Sequence, residues 1–506
     1  MKLDKLKDYI PKVDDKSNEI YQKANEKKKK FSLAISIRIV SLATLCLITL
    51  LCVILIFDRD KDETKDPTVE MTEEVTDGDY ETPELSPELV PQESYESFML
   101  KGAKVGLNMT DYKNYVKVES NEAAIFLDKL DSFSHKLSVE IYNDYEGNYL
   151  ISPVSIYMGL AMVIECTSGD TREEILDVVG VTYDEVKNFT KYIYGLTNRQ
   201  FRDADDRISA FEELANSIWI EEKIDLKEAC LEALSEYYHT DSLHVPFNAS
   251  PKHASKLLNK YIKDKTHDLI DLSIEISPET LFMLINTYYI KEIWLGSGEE
   301  LFFTDSEYDF LNNDLTITKT KLLKGTYSTG QIYERENFYH FTQKSYHGYR
   351  MKFIVPKDGF GVDDIFNYKT LKEVNNIKDY KGIDDVNMIE HFTRVLFPEF
   401  SVSLKKEISS DLKNLGIKRI YGNADFTNIT DIPAYVGATI HATKLNVDAR
   451  GFEGAAVTVF EVPESDAPSD YEKVLHELVV DKEFVFILTN SKNIVLFTGV
   501  IKNLEK

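Results

Sequence analysis

A run of nineteen residues without a charge, residues 39–57, constrains this chain more than any other feature. At about 1.5 Å of rise per residue, a helix of that length spans roughly 28 Å, close to the ~30 Å hydrocarbon core of a bilayer. Four lysines at residues 27–30 precede the run and Arg38 stands at its margin, whereas no basic excess follows it. The positive-inside rule then predicts a transmembrane signal-anchor at residues 31–57, with the basic tail of residues 1–30 in the cytosol.

A cleaved signal peptide is the alternative to a retained anchor. The apolar run exceeds the usual core of ~7–15 residues, and no small-x-small cleavage site precedes Asp58. We therefore expect a single-pass type II membrane protein. Its remaining chain is expected outside the cell or in the lumen of the secretory pathway, and it is secreted if the anchor is cleaved.

Charge defines the next segment and excludes one class of partner. Residues 58–97 hold fifteen acidic residues against three basic ones, with four prolines, so residues 58–120 are predicted to be an acidic stalk or linker. An acidic docking tail is the alternative. The whole chain carries a net charge of −27, which excludes a general nucleic-acid-binding protein because phosphate contacts need clustered Lys and Arg.

Motifs of catalysis and of cofactor binding are missing from the sequence. It has no GxSxG elbow and no phosphate-binding loop, and Cys166 and Cys230, the two cysteines beyond the apolar run, lack metal-ligand spacing. No cofactor, no metal and no enzymatic activity are expected. A true enzyme with an unrecognised site is the remaining alternative.

Hydrophobic periodicity predicts an α+β domain after residue 120. Apolar residues between Phe126 and Ile141 recur at helical spacing, and helical patterns follow at 226–238 and 252–263. Thr171 opens an apparent capping box, whose helix should stop at Gly180. The apolar run 281–290 reads as a central strand, and further strand patterns recur at 394–403, 444–448, 455–460, 484–489 and 494–501.

Eight ordered blocks of residues resemble the serpin family over residues 121–506. They begin with the SPVSI stretch and include the family's tryptophan, here Trp294, and its histidine, His441, ten residues before Gly451. The blocks lie at 148–163, 169–171, 215–219, 259–272, 284–294, 397–426, 441–451 and 496–503. The resemblance implies helices around a large mixed β-sheet, two further sheets, an exposed reactive loop and a monomer. It also implies suicide-substrate trapping of a serine or cysteine endopeptidase, in which the cleaved loop inserts into the large sheet.

The resemblance assigns the reactive loop by position. Its hinge is the stretch Gly451, Phe452, Glu453, Gly454, Ala455, Ala456, Val457 and Thr458, and counting from Gly451 places the scissile bond near Ser465-Asp466. Phe452 replaces a small residue and Gly454 an alanine, so Phe452 is expected to hinder insertion, because packed cores tolerate added volume poorly. A non-inhibitory binding protein of the same fold is therefore the alternative. Acidic residues around the bond favour a protease that prefers small or acidic residues.

The resemblance also implies a polar cluster beneath the opening sheet and a packing residue near the loop entry. The cluster is Ser152, Ser155, Asn286 and His441, and the packing residue is Trp294. Four N-x-S/T sequons follow the membrane segment and predict glycosylation in a suitable host, at Asn108, Asn188, Asn248 and Asn428.

Overall fold

The structure is a computed structural model, and it describes most of the chain from residue 120 onward. The described residues are 120–143, 145–202, 208–271, 273–295, 301–327, 332–377, 383–384, 389–452 and 472–504. The predicted tail, anchor and stalk lie outside these residues. No helix within the described ranges combines the length and the apolar character needed to cross a membrane.

Helices cluster in the first half of the described chain, as the periodicity predicted. They are α1 (Ser120–Tyr142), α2 (Pro153–Cys166), α3 (Gly169–Val179), α4 (Tyr183–Leu196), α5 (Glu228–Tyr238), α6 (Pro251–Lys265), α7 (Val362–Ile365), α8 (Tyr368–Asn376) and α9 (Ser409–Leu415), with a 3-10 turn at Arg419–Tyr421. The apolar stripe of α1 from Phe126 to Ile141 is buried, which is why this amphipathic sequence packs as a helix.

Strands dominate the second half. They are β1 (Tyr149–Ile151), β2 (Arg199–Arg202), β3 (Ile208–Glu221), β4 (Thr240–Val245), β5 (Phe282–Ile293), β6 (Phe302–Phe303), β7 (Tyr308–Leu311), β8 (Ile317–Thr320), β9 (Leu322–Tyr327), β10 (Tyr333–Glu334), β11 (Phe338–Lys344), β12 (Arg350–Pro356), β13 (Ile383–Asp384), β14 (Ile389–Pro398), β15 (Phe400–Glu407), β16 (Ile440–Val447), β17 (Gly451–Phe452), β18 (Glu472–Val479), β19 (Phe484–Thr489) and β20 (Val495–Ile501).

These strands form a seven-stranded sheet, called the large sheet below, together with a six-stranded sheet, a five-stranded sheet and a β7–β8 hairpin. The large sheet has the order β15-β16-β17-β5-β3-β2, and β4 pairs in parallel with β3, so the sheet is mixed. The six-stranded sheet has the order β1-β20-β19-β12-β11-β10, and the five-stranded sheet the order β13-β14-β9-β6, with β18 against β14. The predicted fold class is confirmed.

Two apolar clusters cover the two faces of strand β5. Tyr288 and Ile290 belong to the main core, whereas Met283 and Ile285 pack against a smaller cluster that includes α6. Because successive side chains of a strand point to opposite faces, the even-numbered residues of β5 face the main core. The run 281–290 is therefore a central strand, as predicted, because both of its faces are covered.

The predicted start of α3 was wrong. The helix begins at Gly169, and the Thr171 hydroxyl accepts a hydrogen bond from the backbone N–H of Asp425 at 2.9 Å instead of capping the helix. The end was right, since Gly180 adopts a left-handed conformation with φ of 75°. A complete capping box occurs instead at Thr182 and Glu185, where α4 begins.

Candidate functional site

The large sheet is divided between strands β5 and β16. Both pair antiparallel with the two-residue strand β17, through Gly451 opposite Ile293 and through Phe452 opposite Glu292 on one side and Val447 on the other. Within the described part of the chain, no hydrogen-bonded register joins β5 directly to β16. The edges of β5 over 282–291 and of β16 over 440–446 thus flank a gap, and β17 stands at one end of it.

A tight turn brings the chain from β16 back into this gap. The side-chain oxygen Oδ1 of Asp448 accepts hydrogen bonds from the backbone N–H groups of Arg450 and Gly451, at 2.8 and 3.1 Å. Trp294 donates from its ring Nε1 to the carbonyl of Asp448 at 2.8 Å and from its backbone N–H to the carbonyl of Arg450 at 2.9 Å. Sequence reasoning missed Asp448, although an Asp three residues before a Gly is a recognised turn signal.

Gly451 is required by the closeness of strand β5. A Cβ atom at this position would lie 1.8 Å from the carbonyl oxygen of Glu292. No side chain fits there, so glycine permits the approach of the two backbones. The family resemblance assigned Gly451 by position, and the structure supplies a steric reason for it.

Phe452 is already part of the main core. Its side chain is 1% exposed, and its ring centroid lies 5.3 Å from that of Trp294 and 6.3 Å from that of Tyr349, both in edge-on arrangements. The prediction that this bulky residue hinders insertion of the rest of the loop stays a prediction. The aromatic ring is accommodated where the hinge begins.

Glu292, the residue opposite Phe452, is held by a buried contact with His347. Glu292 is 1% exposed, and its Oε1 lies 2.9 Å from Nδ1 of His347. The His347 ring in turn stacks on Phe201, with centroids 4.0 Å apart. The contacts among Glu292, His347 and Phe201 were not predicted from the sequence, because these residues are far apart in the chain and no sequence pattern links them.

The four residues predicted to form a polar cluster come together at the start of α2. The backbone N–H of Ser152 donates to Nε2 of His441 on β16 at 3.1 Å, and the Ser155 hydroxyl donates to Oδ1 of Asn286 on β5. Asn286 also donates from Nδ2 to Oδ1 of Asn216 on β3 at 2.7 Å. One helix end thus holds both edges of the gap, and Asn216 extends the cluster beyond the predicted set.

Burial fixes the protonation state of His441. Removal from water lowers the pKa of its imidazole to about 4, because the charged form is penalised by burial. The ring is therefore neutral at pH 7. Since Nε2 accepts the hydrogen bond from Ser152, the neutral ring carries its proton on Nδ1.

The remaining predicted residues are placed as follows. Trp294 is buried in the core at the gap's end, in the packing position predicted for it. The hinge residues from Glu453 to Thr458, the bond Ser465-Asp466 and the sequon at Asn108 lie outside the described residues.

The other three sequons differ in exposure. Asn188 and Asn248 are exposed. Asn428 is half-buried and donates from its side-chain nitrogen Nδ2 to the carbonyl of Glu165. That nitrogen is the atom a glycan would modify.

Comparisons with known proteins agree with the resemblance found in the sequence. The family model described as "Serpin (serine protease inhibitor)" matches residues 128–504. Iripin-1 of Ixodes ricinus is 27% identical over 388 residues, covering 74% of this chain and 95% of its own.

Solved structures show the same architecture. Serpin48, described as a highly specific serpin of the insect Tenebrio molitor, aligns with a TM-score of 0.63 at 20% identity, over 77% of this chain and 100% of its own. The structure of thyroxine-binding globulin with thyroxine aligns with a TM-score of 0.61 at 20% identity, over 75% and 99%. At such identities the likeness shows the fold.

Proposed function

Because the chain belongs to the serpin family, we propose that it is a membrane-anchored inhibitor that traps a serine or cysteine endopeptidase as a suicide substrate. The observation that carries the proposal is the gap between β5 and β16, with its first two positions already filled by Gly451 and Phe452. A segment that continues this pairing would gain a hydrogen-bond ladder on both of its edges.

The register of β17, extended along the gap, aligns the loop with both neighbouring strands. On β5, Phe452 opposite Glu292 places Ala456 opposite Tyr288 and Thr458 opposite Asn286. On β16, Phe452 opposite Val447 places Thr458 opposite His441. The two registers, taken independently, set Thr458 between the two cluster residues that line the gap.

The same register sorts the loop side chains by face. Residues on the face of Phe452 turn into the main core when the loop is inserted, and they are Gly454, Ala456, Thr458, Phe460 and Val462. The charged residues Glu453 and Glu461 fall on the opposite face. An inserted strand of this sequence would bury no charge in the main core, which removes one energetic cost of insertion.

The ends of the loop are held by different sheets. Phe452 lies in the large sheet, and Glu472 begins β18, which pairs with β14 in the five-stranded sheet. From Lys291 back to Phe282, strand β5 offers ten pairing positions, about 33 Å of strand. Residues 453–462 would fill those positions, and a cut at Ser465-Asp466 would leave this half of the loop free to insert.

The proposed chemistry belongs to the target protease. Its nucleophile attacks the carbonyl carbon of Ser465, the amine of Asp466 leaves, and the protease remains as an ester or thioester on Ser465. Insertion of the freed loop then carries the acylated protease away before water completes the hydrolysis. Acidic residues on both sides of the bond favour a target that accepts small or acidic residues.

The membrane part of the proposal rests on the amino-acid sequence. The apolar run 39–57 with its preceding lysines supports a signal-anchor, and the acidic stretch 58–97 supports a spacer between the membrane and the inhibitory domain. The exposed sequons at Asn188 and Asn248 suit a domain that lies outside the cytosol.

Incubation of the full chain in mild detergent with a panel of serine and cysteine proteases tests the proposal. We expect an SDS-stable adduct at the summed mass, and a cleaved form that melts well above the intact one. Ala456→Arg places a charge on the core-facing side of the inserting strand and should turn the inhibitor into a substrate. Glu461→Arg, which the same register assigns to the opposite face of the inserted strand, is the matched control and should still trap. Trapping by Ala456→Arg would refute the proposed register.

A binding protein without inhibitory activity is the second candidate. The seated Phe452 favours it, because a hinge already packed against Trp294 leaves less loop free to be presented to a protease. Cleavage near Ser465 with neither an adduct nor a rise in melting temperature would support this second reading.

A further inference from the structure

Two buried cysteines lie together, apart from the gap and from the polar cluster. Cys166 is the last residue of α2, and Cys230 stands in the first turn of α5. Their exposed fractions are 0% and 2%, and both belong to the main core. In the sequence they are separated by 230 − 166 = 64 positions, so spacing alone indicated no shared role.

The two thiols are neighbours in the core. The Cys230 thiol donates to the carbonyl oxygen of Glu165, the residue directly before Cys166, at 3.7 Å, and it is one of the groups that raise the pKa of the Cys166 thiol. Neither cysteine takes part in a disulfide in this structure. A disulfide bond between them needs the two sulfur atoms to approach to ~2.05 Å.

The segment at Asn428 and Ile429 bonds both of the helices that carry the cysteines. Asn428 donates from Nδ2 to the carbonyl of Glu165, next to Cys166, and the backbone N–H of Lys227 donates to the carbonyl of Ile429 at 2.8 Å. The N–H of Cys230 then bonds the carbonyl of Lys227 at 3.0 Å. The relative position of the two sulfur atoms is therefore set by the fold.

We propose that Cys166 and Cys230 form a disulfide bond when the chain folds in an oxidising compartment, with oxidised glutathione as the oxidant. One protein thiolate attacks a sulfur of glutathione disulfide and releases one glutathione. The other protein thiolate attacks the protein sulfur of the mixed disulfide and releases the second glutathione. The two protein thiols lose two electrons and two protons, and one glutathione disulfide becomes two glutathione molecules.

We expect the bond to form while the two helices dock, before the core around the thiols is closed to solvent. Burial raises the pKa of the Cys166 thiol, and the reactive thiolate is disfavoured once the helices have packed. The same burial keeps reductants from a bond that has formed. We therefore expect oxidation during folding to be fast and oxidation of the folded, reduced protein to be slow.

Refolding in two redox buffers tests the proposal. The full chain is used in mild detergent with Cys46 and Cys52 changed to Ala, so that two thiols remain. After refolding in a glutathione redox buffer we expect no thiol to react with a maleimide in denaturant and the mass to fall by 2 Da. Refolding in dithiothreitol should leave two reactive thiols. A non-reducing peptide map should contain the linked peptides of Cys166 and Cys230.

Thermal melting supplies the second readout. A cross-link over about 65 residues restricts the unfolded chain, and for a domain of this size it should raise the melting temperature by about 5 °C relative to the reduced form. Cys230→Ala in the same background is the control, and its melting temperature should not differ between the two refolding conditions once any mixed disulfide has been removed. Two maleimide-reactive thiols in the glutathione-refolded protein, or a bond that lowers its melting temperature, would overturn the proposal.

Discussion

Replacement of Phe452 by alanine tests whether its side chain holds the start of the loop in the large sheet. The ring is 1% exposed and lies edge-on to Trp294 and Tyr349. Truncation of a buried phenylalanine to alanine usually costs about 3–5 kcal/mol, which combines lost burial with the cavity that remains. If the turn stays seated, the free energy of unfolding should fall by about that amount.

The alternative response to the truncation is departure of the turn from the gap. The loss in stability is then limited to the free energy that seats residues 448–452. If the free energy that keeps residues 448–452 in the gap falls by about 3 kcal/mol, the ratio of molecules with the turn in the gap to molecules with the turn outside it falls about a hundredfold. Either response exposes Trp294, whose ring packs against Phe452 and whose Nε1 bonds the turn at Asp448.

Tryptophan fluorescence separates these two responses from a general loss of packing. The chain has two tryptophans, so Trp219→Phe leaves Trp294 as the sole reporter. In that background we expect Phe452→Ala to shift the emission of Trp294 to longer wavelength and to increase its quenching by acrylamide, together with a lower urea midpoint.

A matched variant controls for the lost phenyl group. Phe247 is 0% exposed and belongs to the smaller core cluster, whereas Phe452 belongs to the main core. Phe247→Ala should lower the urea midpoint to a similar degree and leave the Trp294 emission unchanged. A Phe452→Ala protein with unchanged emission and a loss of less than about 1 kcal/mol would refute the view that this ring seats the loop.

Three further predictions follow from the same region and its surroundings. Gly451→Ala should unseat the turn and expose Trp294, because its Cβ would lie 1.8 Å from the carbonyl of Glu292; unchanged emission would contradict this. The lowered pKa of His441, about 4 against an ordinary 6.5, means that the unfolded chain binds the extra proton between these values. Neutral His441 therefore contributes up to about 3 kcal/mol to the free energy of unfolding above pH 6.5, and this contribution is lost as pH falls towards 4. His441→Gln should flatten the stability–pH curve in this window, and an unchanged slope would count against it. Asn428 should stay unglycosylated in an expression host, since its Nδ2 is bonded inside the fold; a glycopeptide at this site would disprove the placement.

Sequence patterns predicted the parts of the fold in which hydrophobicity alone decides the structure. Strands β19 and β20 are buried at every position, and their sequences are almost wholly apolar, with Thr489 at the end of β19 and Thr498 and Gly499 within β20. Such runs fit only a strand covered on both faces. Helix α1 was predicted with equal ease, because its apolar residues recur at helical spacing and so share one face.

Local signals failed where a tertiary contact competes for the same atoms. Thr171 and Thr182 both stand three residues before a glutamate, and both read as capping boxes. Only Thr182 caps its helix, because the Thr171 hydroxyl is used by the backbone of Asp425. No rule of spacing distinguishes the two, since the competing partner lies about 250 residues away in the chain.

The residues of the polar cluster could be predicted from the sequence, but the position of the turn at residues 448–452 in the gap could not. The resemblance supplied Ser155, Asn286 and His441, and the structure brings them together. It could not supply the seated turn, which depends on the side chain of Asp448 and on the ring of Phe452. The contacts of both side chains exist only once β5 and β16 lie on either side of them.

The seated turn and the polar cluster act on the gap in opposite directions. At β17 the strands β5 and β16 stand two strand spacings apart, about 9.6 Å. Further along the gap, the backbone N–H of Ser152 bonds His441 on β16 and the Ser155 hydroxyl bonds Asn286 on β5, so one helix end ties both edges of the gap. An entering strand that reaches this point must displace these contacts. Each loop residue that enters the gap gains hydrogen bonds to β5 and β16, whereas the hydrogen bonds that must be broken lie at the polar cluster. The register sets Thr458 between Asn286 and His441. We therefore expect the main barrier to insertion to arise when Thr458 reaches these two residues.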